Sequence, residues 1–147
     1  MKTAEYVTYA HVDKVCDQIS DAILDACLEQ DPMSRCAMET AGGHGVINLI
    51  GELTTRAEID MSKIALDTYR ACGYDDEVKI HVYVSKQSSQ IGAGVDQDGA
   101  GDQGIMVGYA TNETQELLPK EVVLARKLTD LMGAHDGKAQ VTLNDRG

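Results

Sequence analysis

Apolar residues recur at three- and four-residue steps from Val12 onward. Val12, Val15, Cys16, Ile19, Ala22, Ile23 and Ala26 share one face of a 3.6-residue period, and Asp13, Asp17 and Asp21 fall on another. This predicts an amphipathic helix from Val12 to Gln30, stopped at Asp31-Pro32 because the residue before a proline is held out of helical conformation. Thr3 to Thr8 predicts a short strand ahead of it. Arg35 to Thr40 alternates, Gly42-Gly43-His44-Gly45 reads as a turn and Val46 to Leu53 as the returning strand of a hairpin. Asp60 is placed to cap a helix that runs to about Cys72 and closes on Gly73, with Ile64, Leu66, Tyr69 and Ala71 as its apolar side. Val78 to Val84 alternates cleanly and predicts a half-buried strand with Lys79, His81 and Tyr83 on its other face. The polar, glycine-rich Ser85 to Gly104 predicts a loop, and Ile105-Met106-Val107 a strand. Pro119 suits the first position of a helix from Lys120 to Met132, ended by Gly133, with Val122, Val123, Leu128, Leu131 and Met132 as its apolar side. Ala139 to Leu143 is the final strand.

This order of elements predicts an α+β fold, a mostly antiparallel sheet with helices on one face. The strands are too few to close their own sheet. Val46, Asn48 and Ile50 share one side of the returning strand and Ile47 and Leu49 the other, so both sides carry apolar residues. The expectation is an obligate oligomer with a broad apolar interface.

Charge and composition narrow the function. Thirteen basic residues against 24 acidic ones give a net charge of −11, which excludes nucleic acid and anionic membrane as general partners. No apolar run approaches a membrane span, and no signal peptide is visible. Cys16, Cys27, Cys36 and Cys72 show neither paired nor zinc-type spacing, which reads as free thiols in a reducing, cytoplasmic setting. The chain has no Phe and no Trp, so a purine would stack on tyrosine, on an apolar side chain or on something outside the chain.

Candidate chemistry gathers at the start of the first helix. His11, Asp13 and Lys14 stand where free backbone N–H groups and the helix dipole attract anions. Lys14 strengthens that pull, Asp13 can hold a cation beside the anion, and His11 can donate a proton or a hydrogen bond. Such a set suits a metal-bound polyphosphate. Taken singly, an aspartate in a first turn also simply complements the dipole. Gly99-Ala100-Gly101-Asp102-Gln103-Gly104 matches G-x-G-x-x-G, but no strand runs straight into it and no helix pattern follows, so a dinucleotide fold is rejected.

The run from His11 to Ala22 resembles the opening motif of S-adenosylmethionine synthetases (methionine adenosyltransferases). The resemblance continues through Gln30-Asp31-Pro32, Glu39-Thr40, Gly51-Glu52-Leu53-Thr54-Thr55, the 99–104 segment, Gly108 to Thr114 and Lys138 to Thr142, in the family's order. It implies a transferase that joins ATP to methionine and then hydrolyses the released triphosphate. It implies that His11 lies near the leaving oxygen, that Asp13 is a magnesium ligand, and that Lys14 and Lys138 bind phosphates. It further implies that Glu39 is linked to a potassium site, that Glu52 and Asp102 lie near methionine, that Asp136 lies near the nucleoside, and that Glu5 lies close to the phosphate region. His44 and His135 match nothing functional.

The departures matter. The family's Glu-Gly-His-Pro-Asp-Lys is here Tyr9-Ala10-His11-Val12-Asp13-Lys14, without the proline. A family glutamine near methionine aligns with Ala93, the segment matching the family's mobile lid is shortened between Asp96 and Gly99, and an excursion before the last strand is mostly deleted. Residues 1–147 correspond to N-terminal and central-domain elements. Several family phosphate ligands, magnesium aspartates and the adenine-stacking aromatic belong to later sequence. The expectation is one subunit of a split methionine adenosyltransferase, its incomplete domains completed by a second polypeptide or by self-association. The alternative is a non-catalytic regulatory or structural subunit bound to a full-length enzyme.

Overall fold

In the computed structural model, which describes residues 1–87 and 103–144, helix α1 spans Val12–Gln30, the bounds that its periodicity predicts. Strand β1 (Lys2–Val7) precedes it. β2 (Arg35–Gly43), β3 (Val46–Thr54), α2 (Met61–Ala71), β4 (Lys79–Ser85), α3 (Lys120–Met132) and β5 (Lys138–Leu143) follow. The fold is α+β. The chain divides into two compact units, one of residues 1–15 and 106–147, the other of residues 16–105.

In the first unit β1 and β5 form an antiparallel two-stranded ribbon, in register from Lys2 opposite Leu143 to Val7 opposite Lys138. Side chains alternate across a strand. Ala4, Tyr6, Ala139, Val141 and Leu143 therefore share the half-buried face, against which α3 packs, and Thr3, Glu5, Lys138, Gln140 and Thr142 share the exposed one. The buried positions of α3 are Glu121, Val123, Ala125 and Thr129. Its predicted apolar side is thus corrected: Leu128 is 45% and Leu131 84% exposed. Small side chains at 125 and 129 let the helix lie close to the ribbon, which turns the leucines outward. Pro119 sits at the N-cap, one position earlier than predicted.

In the second unit β2-β3-β4 form one sheet. β2 and β3 are an antiparallel hairpin, while β4 runs parallel to β3. The turn is only His44-Gly45, both with positive φ (52° and 76°), as a two-residue hairpin turn requires. The inner face carries Met38, Ile47 and Leu49, with α1 over it through Ile19, Ile23 and Cys27, all three fully buried. Burying each such isoleucine contributes about 1.5–3 kcal/mol. Ser20 Oγ meets Thr40 Oγ1 at 2.8 Å across the same layer. Ile47 is therefore a core residue. The opposite face of β3 is open, with Ile50 47% exposed beside Tyr83 at 62%. His81 is an exposed strand residue stacked against Tyr83.

Asp60 caps α2 as expected, its Oδ1 accepting from Lys63 N at 2.9 Å. Ala65 and Cys72, rather than Ala71, face inward there. Ile105, Met106 and Val107 do not form the predicted strand: they are more than 90% exposed, or close to it, and pair with no strand among the described residues. An extended segment becomes a strand only when a neighbour takes its backbone groups. The four cysteines form no disulfide, with Cys27 and Cys72 buried and the other two partly so.

Two positions test this account. Gly51 has φ of 146°, and a Cβ there would run into the Ala37 carbonyl oxygen on β2. Gly51→Ala is expected to cost about 2 kcal/mol or more in denaturant unfolding, because the strain adds to the clash. Gly43→Ala, at similar φ with nothing near, is expected to cost less. The second position is Asp31. Its carboxylate accepts from the Arg56 guanidinium (Nη2, 3.0 Å), Arg56 N (2.9 Å) and Met33 N (3.2 Å), which holds it down at about 2. A carboxyl depressed on folding contributes stability above its unfolded value of about 4, and that stability disappears as pH falls toward the folded value. Melting temperatures between pH 7 and pH 2 are expected to fall steeply in the wild type and more shallowly in Asp31→Asn, which starts lower.

Candidate active site

The start of α1 is built on a tight connection from β1. Thr8 N donates to Gly137 O (2.9 Å) and Thr8 Oγ1 accepts from Gly137 N (3.0 Å). Thr8 is 2% exposed. His11 N then donates to Thr8 O, and Val15 N to His11 O, which opens the helix with His11 at its cap. Gly137 lies between Asp136 and Lys138. The reciprocal pair with Thr8 therefore brings residues 136–138 to the same end of the ribbon as His11, Asp13 and Lys14.

Each predicted residue of this unit has a definite environment. His11 Nδ1 accepts from Asp13 N at 3.2 Å, with an Asp13 carboxylate oxygen at 3.7 Å. With Nδ1 accepting, the neutral ring carries its proton on Nε2. The Asp13 carboxylate is 77% exposed. Lys138 Nζ pairs with Glu5 Oε1 at 2.8 Å, both about half exposed, on the open face of the ribbon. Lys14 Nζ lies 5.4 Å from the centre of the Tyr6 ring, and the Arg126 guanidinium 4.9 Å from it. Asp136 is exposed.

Glu39 and Glu52 belong to the other unit. Glu39 pairs with Ile50 and Glu52 with Ala37, so the two carboxylates are diagonal neighbours on the open face of the β2-β3 hairpin, where such positions lie about 7 Å apart. Asp102 and Ala93 lie outside the described residues, as does most of the predicted lid. Among the described residues no group of three or more His, Cys, Asp and Glu side chains comes together as a ready metal cage. Sequence reasoning missed Thr8, Tyr6 and Arg126. A threonine that accepts from a glycine 129 positions away leaves no local signal, and Arg126 lies within a helix outside every motif.

Lys14 lies against Tyr6 on the face that α3 covers, whereas Lys138 pairs with Glu5 on the open face, so the two lysines stand on opposite sides of this end of the ribbon. Comparison with known families identifies the chain. Residues 1–94 match the S-adenosylmethionine synthetase N-terminal domain, and residues 97–145 match the S-adenosylmethionine synthetase central domain. The chain belongs to the S-adenosylmethionine synthetase family. It is a relative of the methionine adenosyltransferases, and ATP and methionine are the substrates that the family implies. No helix among the described residues is long and apolar enough to cross a membrane.

The Thr8–Gly137 pair is expected to hold this end together. Thr8→Val keeps the shape but leaves the Gly137 N–H without its acceptor, at a cost of about 1–3 kcal/mol for a buried donor. Hydrogen exchange is expected to show Gly137 losing protection while the hairpin of the other unit keeps its own.

Proposed function

We propose that this S-adenosylmethionine synthetase relative works as one subunit of a methionine adenosyltransferase whose active site is completed by another chain. What supports the reading is the family match together with the Thr8–Gly137 pair, which sets the backbone of residues 136–138 beside the connection that leads into His11, Asp13 and Lys14. In this reaction the methionine sulfur attacks the ribose C5′ of ATP, the C5′–O bond breaks, and the triphosphate leaves, to be hydrolysed to phosphate and diphosphate. The protein's task is alignment and stabilisation of charge on the leaving oxygen.

His11, with its proton on Nε2, is the donor toward that oxygen. Lys14 and Lys138 bind the phosphates, a stronger anion than the Glu5 carboxylate that holds Lys138 meanwhile. The exposed Asp13 carboxylate fits magnesium, which binds through one or two carboxylates together with substrate phosphates and, when bound, offsets phosphate charge. Glu39 is assigned to a potassium site, Glu52 and Asp102 to methionine, and Asp136 to the nucleoside, in a cytoplasmic enzyme. Residues 1–147 supply N-terminal and central-domain elements of the fold. Lys14, Lys138 and Arg126 are too few cations for a triphosphate, which supports completion by a second polypeptide or a second copy. So do the edges of the ribbon, which pair with no further strand among the described residues, and the exposed Ile105, Met106 and Val107. Ala93 at the position of a family glutamine, and the shortened segment between Asp96 and Gly99, favour a second reading, a non-catalytic subunit bound to a full-length enzyme.

The chain alone, given ATP, methionine, magnesium and potassium, is expected to form no S-adenosylmethionine, whereas the complex isolated with its co-purifying partner turns over. Asp13→Asn in that complex is expected to cut turnover by about tenfold or more while native mass spectrometry shows assembly intact. Full turnover by the chain alone would rule out the shared site. Unchanged turnover of the variant across a magnesium titration would reduce Asp13 to a residue complementing the helix dipole.

A further inference from the structure

At one end of the three-stranded sheet, Arg35 opens β2, Arg56 follows β3 and Lys86 follows β4. In a chain of net charge −11 this is a local excess of cations. Arg35 Nε donates to Gln87 Oε1 at 2.9 Å, which ties the residue after Lys86 to the start of β2. Beside them opens a cleft of about 450 Å³, with Met33 and Leu53 among its apolar lining and Asp31, Thr54, Arg56 and Lys86 among its polar lining.

The Asp31 carboxylate is 5% exposed and fully engaged, so it presents little acceptor surface to the cleft. It acts on Arg56. Of the five N–H donors of a guanidinium, Nε and one on Nη2 turn to Asp31. The rest of the fork faces away, on a side chain that is 83% exposed. Arg56 is thus a pre-set donor edge at the mouth of the cleft, its rotamers already restricted by the ion pair. Thr54 Oγ1 is buried there without a hydrogen-bond partner, a polar atom that protein contacts alone leave unsatisfied.

The charges lining the cleft are Arg56 and Lys86 against Asp31, one net positive charge. That balance matches a singly charged anion. The apolar lining and the volume call for a ligand with a body, which inorganic phosphate lacks. We propose that this cleft binds a small organic monocarboxylate, its carboxylate held by the outward edge of Arg56 and by Lys86, its apolar part against Met33 and Leu53. None of these residues belongs to the proposed catalytic set, so the two readings stand or fall separately.

The test is a titration of the full chain followed by backbone amide NMR shifts, with three probes: hexanoate, hexanamide and inorganic phosphate. Hexanoate is expected to give saturable shifts at Thr55, Arg56 and Lys86, with hexanamide and phosphate giving none at the same concentrations. Lys86→Gln is expected to weaken hexanoate binding by about tenfold, the size of a lost charge-assisted hydrogen bond. Arg56→Gln also strips Asp31 of its partner, so the exposed Lys86 variant decides. No saturable shift with hexanoate, equal binding of hexanamide or phosphate, or unchanged affinity in Lys86→Gln would each overturn the assignment.

Discussion

Two hydrogen bonds between Thr8 and Gly137 hold together the two parts of the sequence on which the proposed chemistry rests. The ribbon's last pair, Val7 opposite Lys138, lies next to them. A two-stranded ribbon is a weak unit by itself. Here it is pinned at one end by a buried threonine and backed by a single helix. The start of α1 and the start of β5 are thus tied to each other by a link that carries no charge.

Most elements were legible because each rests on a local physical rule. Periodicity placed α1, Asp60 placed the start of α2, Gly133 ended α3, and strict alternation placed β4 to within a residue. What failed was the choice of face where apolar residues were abundant. In α3 the sequence offers leucines at 128 and 131, yet the buried positions are Glu121, Val123, Ala125 and Thr129. Close approach of helix to ribbon outweighs side-chain hydrophobicity there, and no window of sequence contains the ribbon. Ile105 to Val107 failed for a related reason, since β-propensity describes a side chain while a strand needs a partner. The parallel pairing of β3 and β4 follows from the passage through α2, which reverses the direction of the chain between them.

The candidate site was legible by residue and not by geometry. His11, Asp13 and Lys14 come from one stretch, and their proximity is local. That Lys138 faces Glu5, or that Tyr6 lies between two cations, depends on the register of strands more than a hundred residues apart. The proposed reading gives roles to these residues, and the structure gives their present partners. Both lysines are occupied in this chain, Lys138 by a carboxylate and Lys14 by a ring face. Each partner is exchangeable for phosphate at modest cost, because an exposed ion pair or cation–π contact contributes only about 0.2–1 kcal/mol.

The exposed apolar residues then take on a consistent meaning. Leu128, Leu131, Met106 and Val107 in one unit, and Ile50 and Tyr83 on the open sheet of the other, keep much of their apolar surface exposed among the described residues. The open sheet face also carries Glu39 and Glu52, two acids on one side of a hairpin in a chain already at −11. A surface that is apolar at its centre and acidic at its side is poorly matched to an identical surface unless a cation or a basic group lies between. On the proposed shared-site reading, a chain that covered this face would have to bring positive charge along with apolar cover, because two acids on an open sheet oppose a second acidic surface.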